Sequence, residues 1–312
     1  MTQRNKEGSD QLVCGICGEI RFDGAQPSAL TQTRMMEALA PRGPDGSGLV
    51  IHDNAALAHR RLRIIDLSER ARQPMVDAEL GLTIAFNGCI YNYPELRAEL
   101  ESKGYRFFSH GDTEVILKAW HAWGKDCVNR FHGMFAFVIH ERDTGRLVMA
   151  RDRFGIKPLY LAETPRSVRF ASSLPALLKS GDIDTSIDRH ALHHYLSFHA
   201  VVPPPRTILN GVRKLPPATI RVVEPDGRKT DTVYWSPPYE RDPAMAGLSS
   251  DEWRDRVLEA LRTAVRRRMV ADVPVGVLLS GGVDSSMIVG LLAEEGQHGL
   301  MTFSAGFAEA NG

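Results

Sequence analysis

The stretch Cys14-Gly15-Ile16-Cys17-Gly18 sets a cysteine among small residues near the start of a chain of 312 residues, with thirteen residues before it. A cysteine can act as a nucleophile that uses its own α-amine as the base, but only when it is the first residue of the mature chain. That chemistry requires residues 1–13 to be absent. We therefore expect them to be a non-native or removed extension.

The Cys14-x-x-Cys17 pair has other interpretations. A zinc site needs two more ligands, and Cys89 and Cys127 do not supply a second pair of the same spacing. A thioredoxin-like redox pair needs a βαβ context, which the surrounding pattern lacks. Cys17 and Cys127 are expected to be buried structural cysteines.

Composition excludes several functional classes. The formal net charge is zero, from 38 basic and 38 acidic residues, which gives no electrostatic case for nucleic acid or a membrane surface. The sequence has no apolar run of transmembrane length and no signal peptide. Four cysteines in a chain of this length do not form a secreted disulfide framework. We therefore expect a cytoplasmic protein with no nucleic-acid or membrane partner.

The pattern of elements changes along the chain. Up to residue 223, short strands and a few helices predict an α/β sandwich of sheets with helices outside. After a proline-rich linker, Ser249-x-x-Glu252 forms a capping box, and a helix, a strand, a glycine-serine turn, a helix and a strand follow. The predicted strands are 82–86, 134–140, 146–151, 158–162, 168–171, 275–279 and 301–304, and the predicted helices are 94–103, 113–123, 249–270 and 286–295.

The segment Ser280-Gly281-Gly282-Val283-Asp284-Ser285-Ser286 lies between a predicted strand and a predicted helix. Glycines let the backbone approach a phosphate, and the N–H groups of a helix N-terminus favour an anion. The lysine of a Walker A loop is missing. The segment resembles the pyrophosphate loop of the ATP pyrophosphatases, with Asp284 as a Mg²⁺ partner or a loop-fixing acceptor. A generic glycine-rich turn is the alternative.

Several motifs follow one another along the chain: Cys14-Gly-Ile-Cys-Gly, Arg42-Gly-Pro-Asp-Gly, His59-Arg-Arg-Leu, Asn87-Gly-Cys-Ile-Tyr-Asn, Gly111-Asp-Thr-Glu, Gly133-Met-Phe-Ala-Phe and Arg151-Asp-Arg-Phe-Gly-Ile-Lys-Pro-Leu-Tyr. In this order, the set resembles the class II glutamine amidotransferase domain of the asparagine synthetase family. The resemblance implies an N-terminal-nucleophile hydrolase fold, a four-layer αββα sandwich, in residues 14–235. It implies a linker at 236–248 and the first part of a Rossmann-like ATP pyrophosphatase synthetase domain at 249–312, which looks truncated.

The resemblance implies roles for five residues of the first domain. Cys14 would attack the side-chain amide of glutamine, and Asn87 and Gly88, on a tight turn, would form the oxyanion hole. Arg61 would bind the α-carboxylate of glutamine, and Asp112 would bind its α-ammonium. As alternatives, Asp112 is only the N-cap of the helix that follows it, and Arg61 is a surface ion-pair partner.

For the second domain, the resemblance implies ATP and Mg²⁺ as cofactors. Ammonia from glutamine would pass to an ATP-adenylylated carboxylate. Leu279 and Ala305 would flank the adenine and ribose, and the loop between strand and helix would bind the phosphates. The implied ATP-binding residues are Leu279, Ser280, Gly281, Gly282, Asp284, Ser285, Ser286 and Ala305.

Two departures separate this sequence from ordinary asparagine synthetases. Cys89 stands where they carry glutamate in Asn-Gly-Glu-Ile-Tyr-Asn, and Ser173 stands where they carry it in Ala-Ser-Glu. These runs look more like the N-acetylglutaminylglutamine amidotransferases, which make a bacterial osmolyte. We therefore expect N-acetylglutaminylglutamine as the carboxylate acceptor, with aspartate as the alternative.

The two ends of the sequence carry further expectations. Val13 stands where this family has its initiator methionine, so a start at residue 13 and removal of that methionine would leave Cys14 first. The second domain is expected to be too short for ligation and poorly folded, which would leave glutaminase activity at best. A non-catalytic remnant is the alternative of another class. A homodimer is left open.

Overall fold

The chain divides into two units, with the boundary after Ser236, and two six-stranded sheets lie face to face in the first unit. The structure, a computed structural model, describes residues 13–297 and 299–306. The strand pairings in both of these sheets are antiparallel. The strands are β1 (Gly15–Arg21), β2 (Gly46–His52), β3 (Ala55–Arg61), β4 (Met75–Asp77), β5 (Leu82–Ile90), β6 (Gly133–Glu141), β7 (Arg146–Arg151), β8 (Tyr160–Glu163), β9 (Ser167–Ala171), β10 (Arg213–Lys214), β11 (Thr219–Val223) and β12 (Lys229–Val233).

The order of the strands places β1 inside one sheet and β5 inside the other. The first sheet has the order β10-β8-β9-β1-β3-β2, and the second has β12-β11-β7-β6-β5-β4. β5 pairs with β6 over its whole length, but it pairs with β4 only over residues 82–84. In the described part of the chain, the edge of β5 beyond residue 84 therefore has no strand beside it.

Helices cover the outer faces of both sheets and complete four layers. Ile16 and Ala85 belong to the core between the sheets. Phe86 and Ile116 pack between the second sheet and its helices, and Leu39 packs under the helices of the first sheet. This is the predicted αββα sandwich. The helices of this unit are α1 (Ala29–Ala38), α2 (Tyr93–Ser102), α3 (Asp112–Trp123), α4 (Cys127–Arg130), α5 (Leu174–Leu178) and α6 (Arg189–Ser197).

Alternation along β1 separates Cys17 from Cys14, which directly precedes the strand. Ile16 and Ile20 lie in the core between the sheets, whereas Cys17 is fully buried in the outer layer with Leu39. Successive side chains of a strand point to opposite faces. Cys14, two residues before Ile16, therefore points toward the second sheet. The prediction that Cys17 is a buried structural cysteine is confirmed.

The same alternation operates on β5. Phe86 and Ile90 face the helices of the second sheet, and Ala85 faces the first sheet. Asn87 and Cys89 share the face of Ala85 by the period of two. The side chains of Asn87 and Cys89 therefore point to the side from which Cys14 approaches.

Several predicted elements of this unit are confirmed, and one predicted strand is longer in the structure than the sequence indicated. The hairpin of β6 and β7 and the helices α2 and α3 lie where the sequence placed them, within one or two residues. The strand predicted for residues 82–86 continues to Ile90. Asn87 and Gly88 are thus in a strand and not on a tight turn, because Gly88 keeps extended backbone and pairs with Phe135 of β6.

The second unit contains a parallel strand pair and two helices, as predicted. Ser249 and Glu252 form the predicted capping box. The two strands are parallel, and the helix between them packs against the first helix of the unit through Leu291 and Val265. None of the described helices is both long and apolar enough to cross a membrane. The elements are α7 (Ser250–Arg268), β13 (Gly276–Leu278), α8 (Val283–Glu294) and β14 (Met301–Phe303).

Candidate active site

A cavity of about 260 Å³ in the first unit brings the predicted residues together. It lies where the start of β1, the open edge of β5 and the start of α3 meet. All five residues for which the sequence predicted glutamine chemistry line it: Cys14, Arg61, Asn87, Gly88 and Asp112.

The Cys14 thiol is held by the backbone of Leu62. Its Sγ lies 3.4 Å from Leu62 N and 3.5 Å from Leu62 O. Burial raises the pKa of the thiol; the Leu62 N–H and the charges of Lys157 and Arg61 oppose this rise, and Asp112 adds to it. Because a buried thiol with a raised pKa stays protonated, attack by the sulfur needs a base that removes the proton.

The side-chain amide of Asn87 is buried without a partner. Asn87 is 1% exposed, and neither Oδ1 nor Nδ2 has a hydrogen-bond partner among the described residues. Leaving such a group unpaired costs about 1–3 kcal/mol. An unpaired amide on the wall of a cavity is therefore suited to a ligand, and Nδ2 can donate to an oxyanion formed beside Cys14.

Only glycine fits at position 88. A Cβ atom there would lie 2.2 Å from the Met134 carbonyl oxygen and 2.7 Å from Cε2 of Phe86. Both contacts are far inside van der Waals distance, and one of them is to backbone that cannot move aside. Glycine at this position therefore allows the close pairing of β5 with β6.

The N–H of Gly88 points toward the cavity. Tyr91, just after β5, donates its N–H to the carbonyl of His132, just before β6. The N–H groups of odd-numbered residues of β5 therefore point to β6, and those of even-numbered residues point to the other edge. On that edge, the N–H of Phe86 donates to Gln73 Oε1 at 2.7 Å, and the N–H of Ile90 donates to Asp112 Oδ2 at 3.0 Å. Gly88 lies between them, and its N–H is a second donor for the space that Asn87 lines.

Asp112 is a buried carboxylate with a strongly shifted pKa. Burial raises its pKa to about 7, although the N–H groups of Ile90, Thr113 and Asp112 itself act in the opposite direction. Its Oδ2 accepts from Ile90 N at 3.0 Å. The N-cap interpretation is wrong, because α3 begins at Asp112 and its N-cap is Gly111.

The Arg61 guanidinium forms another wall of the cavity. Arg61 is 6% exposed, which excludes the alternative of a surface ion-pair partner. Its Nη1 donates to the carbonyl of Ser68 at 2.9 Å, and its Nη2 donates to that of Asp66. These bonds fix the plane of the guanidinium and leave other N–H donors for a carboxylate.

The sequence assigned no catalytic or binding role to Lys157 or Cys89. Lys157 and Cys89 both line the cavity and are nearly buried, at 8% exposed each. Lys157 belongs to a motif that carried the family resemblance, but nothing in its spacing placed it near Cys14. The side-chain period of β5 was the available signal for Cys89, since Asn87 and Cys89 share a face.

In the second unit, the predicted ATP residues gather at one edge of the parallel strands. Leu279 follows β13 and Ala305 lies just beyond β14, so both lie at the carboxyl ends of neighbouring parallel strands. Ligands of such sheets bind at this edge. Gly281 has a φ of +82° with open space where a Cβ would stand, so the loop can approach a phosphate closely.

The loop itself departs from the prediction in two details. α8 begins at Val283, earlier than expected, so Asp284, Ser285 and Ser286 lie in its first turn. The hydroxyls of Ser280 and Ser285 lie 3.1 Å apart and also bond to loop backbone, so they fix the shape of the loop. The open glycine, the helix N-terminus and the exposed Asp284 fit a nucleotide phosphate with Mg²⁺.

The chain belongs to the glutamine amidotransferase family of the asparagine synthetase type. A family model described as a glutamine amidotransferase domain matches residues 13–235, and one described as asparagine synthase matches residues 256–312. The first match contains the whole cavity described above.

Curated relatives agree with this assignment. The chain is 38% identical over 300 residues to asparagine synthetase (glutamine-hydrolyzing) 1 of Bacillus subtilis, covering 94% of this chain and 46% of the relative. It is 34% identical over 304 residues to asparagine synthetase 3 of the same organism, with coverage of 95% and 48%. The amidase chry2 of Gibberella zeae is 33% identical over 293 residues, with coverage of 90% and 43%. The chain thus spans about half the length of these relatives.

Solved structures with the same fold are more distant in sequence. Glutamine phosphoribosylpyrophosphate amidotransferase from B. subtilis, complexed with ADP and GMP, has a TM-score of 0.53 at 17% identity, over 93% of this chain and 65% of that chain. A structure described as the allosteric regulatory enzyme of purine biosynthesis has a TM-score of 0.54 at 16% identity, with the same coverage. At these identities the likeness establishes the fold alone.

The raised pKa of Asp112 predicts a pH-dependent loss of stability. The ordinary pKa is 3.8 and the folded one about 7, so folding favours the neutral acid, and stability falls as pH rises through this interval. Asp112→Asn keeps an oxygen for the Ile90 N–H but cannot ionise. The free energy of unfolding is measured with urea at pH 4 to 8, and that of wild type is expected to fall relative to that of the variant as pH rises. If the two proteins show the same dependence of stability on pH, the raised pKa of Asp112 is contradicted.

Proposed function

We propose that the first unit hydrolyses glutamine to glutamate and ammonia with Cys14 as the nucleophile. The observation that carries this proposal is the buried amide of Asn87, which lacks a partner and lines the same cavity as the thiol. A cavity that only buried the Cys14 thiol would not need an unpaired amide in its wall. An oxyanion next to the sulfur gives that amide its missing acceptor.

The proton balance of the proposed reaction requires a free α-amine on Cys14. The amine takes the thiol proton, and the thiolate attacks the side-chain carbonyl carbon of glutamine. Asn87 Nδ2 and Gly88 N–H stabilise the oxyanion of the tetrahedral intermediate. The ammonium form of the amine returns the proton to the leaving nitrogen, which departs as ammonia. Water then hydrolyses the thioester to glutamate.

Arg61 and Asp112 hold the amino-acid end of glutamine in this proposal. The fixed guanidinium offers paired donors to the α-carboxylate. Asp112 without a ligand carries a carboxyl whose pKa is raised to about 7 by burial. An α-ammonium beside it favours the ionised form, which supplies the charge that binds glutamine.

The second unit is proposed to bind ATP with Mg²⁺ through the loop from Leu279 to Ser286 and through Ala305. Bound ATP supplies an adenylyl group that activates a carboxylate for attack by ammonia. The loop backbone and the N-terminus of α8 would hold the phosphates, with Asp284 as the partner of the metal. We accordingly assign residues 14–235 to glutamine hydrolysis, 236–248 to a linker and 249–312 to nucleotide binding.

N-acetylglutaminylglutamine is the proposed carboxylate acceptor of the whole enzyme. Cys89 and Ser173, which replace two glutamates of ordinary asparagine synthetases, support this choice. Aspartate is the second candidate, favoured by the names of the curated relatives. The four free cysteines support a reducing compartment such as the cytoplasm.

Loss of the Asn87 amide is expected to lower kcat for glutamine hydrolysis by about 10²- to 10³-fold with little change in KM. The assay measures glutamate release by a chain whose first residue is Cys14. Because the amide has no partner to lose, Asn87→Ala should unfold within about 1 kcal/mol of wild type. Asn210→Ala, at an exposed position, serves as the matched control, and Cys14→Ala should be inactive. Wild-type kcat in Asn87→Ala would refute the oxyanion hole.

Mg·ATP is expected to bind the full chain and to protect the second unit from proteolysis. Gly281→Val should abolish binding, because a φ of +82° strains a branched residue. Asp284→Asn should weaken binding only when Mg²⁺ is present, whereas Asp251→Asn, exposed on α7, should change nothing. Calorimetric titration with and without Mg²⁺ measures these affinities. Equal affinity in Gly281→Val and wild type would exclude this loop as the phosphate site.

A further inference from the structure

Lys157 is a buried cation that forms no ion pair with the described residues. Its side chain lines the cavity of Cys14 and is 8% exposed. Within residues 13–297 and 299–306, its Nζ makes no hydrogen bond and no ion pair. A buried ammonium of this kind is costly unless an anion completes the site. The anion is therefore one that forms or binds in the cavity.

The backbone around Lys157 is fixed on both sides. Its N–H donates to Asp152 Oδ2 at 3.0 Å, and its carbonyl accepts from Arg151 Nε at 2.8 Å. Arg151 is itself anchored to the carbonyls of Leu215 and Gly155, both at 2.6 Å. The ammonium is thus presented to the cavity from a rigid support, as electrostatic preorganisation requires.

We infer that the Lys157 ammonium is the counter-ion of the Cys14 thiolate. The inference rests on the proposed function, because the thiolate forms when the α-amine of Cys14 takes the thiol proton. That transfer yields a thiolate and an α-ammonium, and Lys157 adds to the same cavity a cation that is in place before the proton moves. Lys157 receives no proton in this step and stabilises the charge that appears on the sulfur.

The other groups near Lys157 are less suited to be its anion. The Asp152 carboxylate already accepts backbone N–H groups, including that of Lys157. Asp112 is occupied by Ile90 N–H, and its raised pKa reflects a site that disfavours charge. Burial raises the pKa of Cys14 and lowers that of Lys157, and each of the two groups opposes the shift of the other. The titratable and charged groups that face the pair are Arg42, Arg61, Cys89, Asp112 and Asp152.

The pH profile of Cys14 alkylation tests the inference without glutamine. Iodoacetamide is added to the full chain at pH 5 to 10, and modification of Cys14 is followed by peptide mass spectrometry. Lys157→Met removes the charge at similar length, and Lys157→Arg keeps it. The midpoint of the profile is expected to rise by about one pH unit in Lys157→Met. It should stay within a few tenths of a unit of wild type in Lys157→Arg.

An unchanged midpoint in Lys157→Met overturns the inference. If Lys157→Met in a chain that begins with Cys14 raises only the KM for glutamine, Lys157 contacts the substrate carboxylate instead, and the inference is equally wrong. The buried Cys17 and Cys127 report folding, since they stay unlabelled in a folded chain. If Cys17 or Cys127 becomes labelled in Lys157→Met, that variant is not folded. The midpoint for Lys157→Gln is then compared with the midpoint for Lys157→Arg. A shifted midpoint together with absent glutaminase activity in a chain that begins with Cys14 would refute the proposed function but not the ion pair.

Discussion

The alternation of side chains along β1 and β5 is the constraint on which this site depends. It turns Cys14 toward the second sheet and Cys17 into the outer layer, and it turns Asn87 toward the first sheet. A slip of one residue in β1 would exchange the two cysteines and remove the nucleophile from the cavity. The apolar cores on both sides of each sheet penalise that slip, because it would also exchange the buried faces. The packing of the two sheets therefore determines which cysteine points into the cavity.

Electrostatics in the cavity follow from burial. The thiol of Cys14 and the carboxyl of Asp112 both have raised pKa values because water is largely excluded. Arg61 and Lys157 bring two cations into the same space. Without a ligand, the cavity thus carries two cations, a protonated thiol and a carboxyl whose pKa of about 7 leaves it only partly ionised at neutral pH. A substrate with a carboxylate and an ammonium, attacked by a thiol that becomes anionic, supplies the charges that this arrangement lacks.

The sequence predicted much of the site because motifs report local chemistry well. Cys14, Arg61, Asn87, Gly88 and Asp112 were all identified, and the structure places them around one cavity. The fold class followed from the same motifs and from the strand pattern. Other features depended on tertiary context. The continuation of β5 through an Asn-Gly pair is set by pairing with β6, and α1 escaped notice because few of its side chains are buried. The position of Lys157 depends on long-range anchors that no local spacing reveals.

The central claim, that Cys14 attacks glutamine in this cavity, is tested most directly by trapping the sulfur. A chain that begins with Cys14 is treated with a diazoketone analogue of glutamine, and the modified peptide is identified by mass spectrometry. The account predicts one label per chain, on Cys14, and protection by excess glutamine. Labelling of Cys89 or another cysteine in place of Cys14, or labelling that glutamine does not prevent, would contradict it.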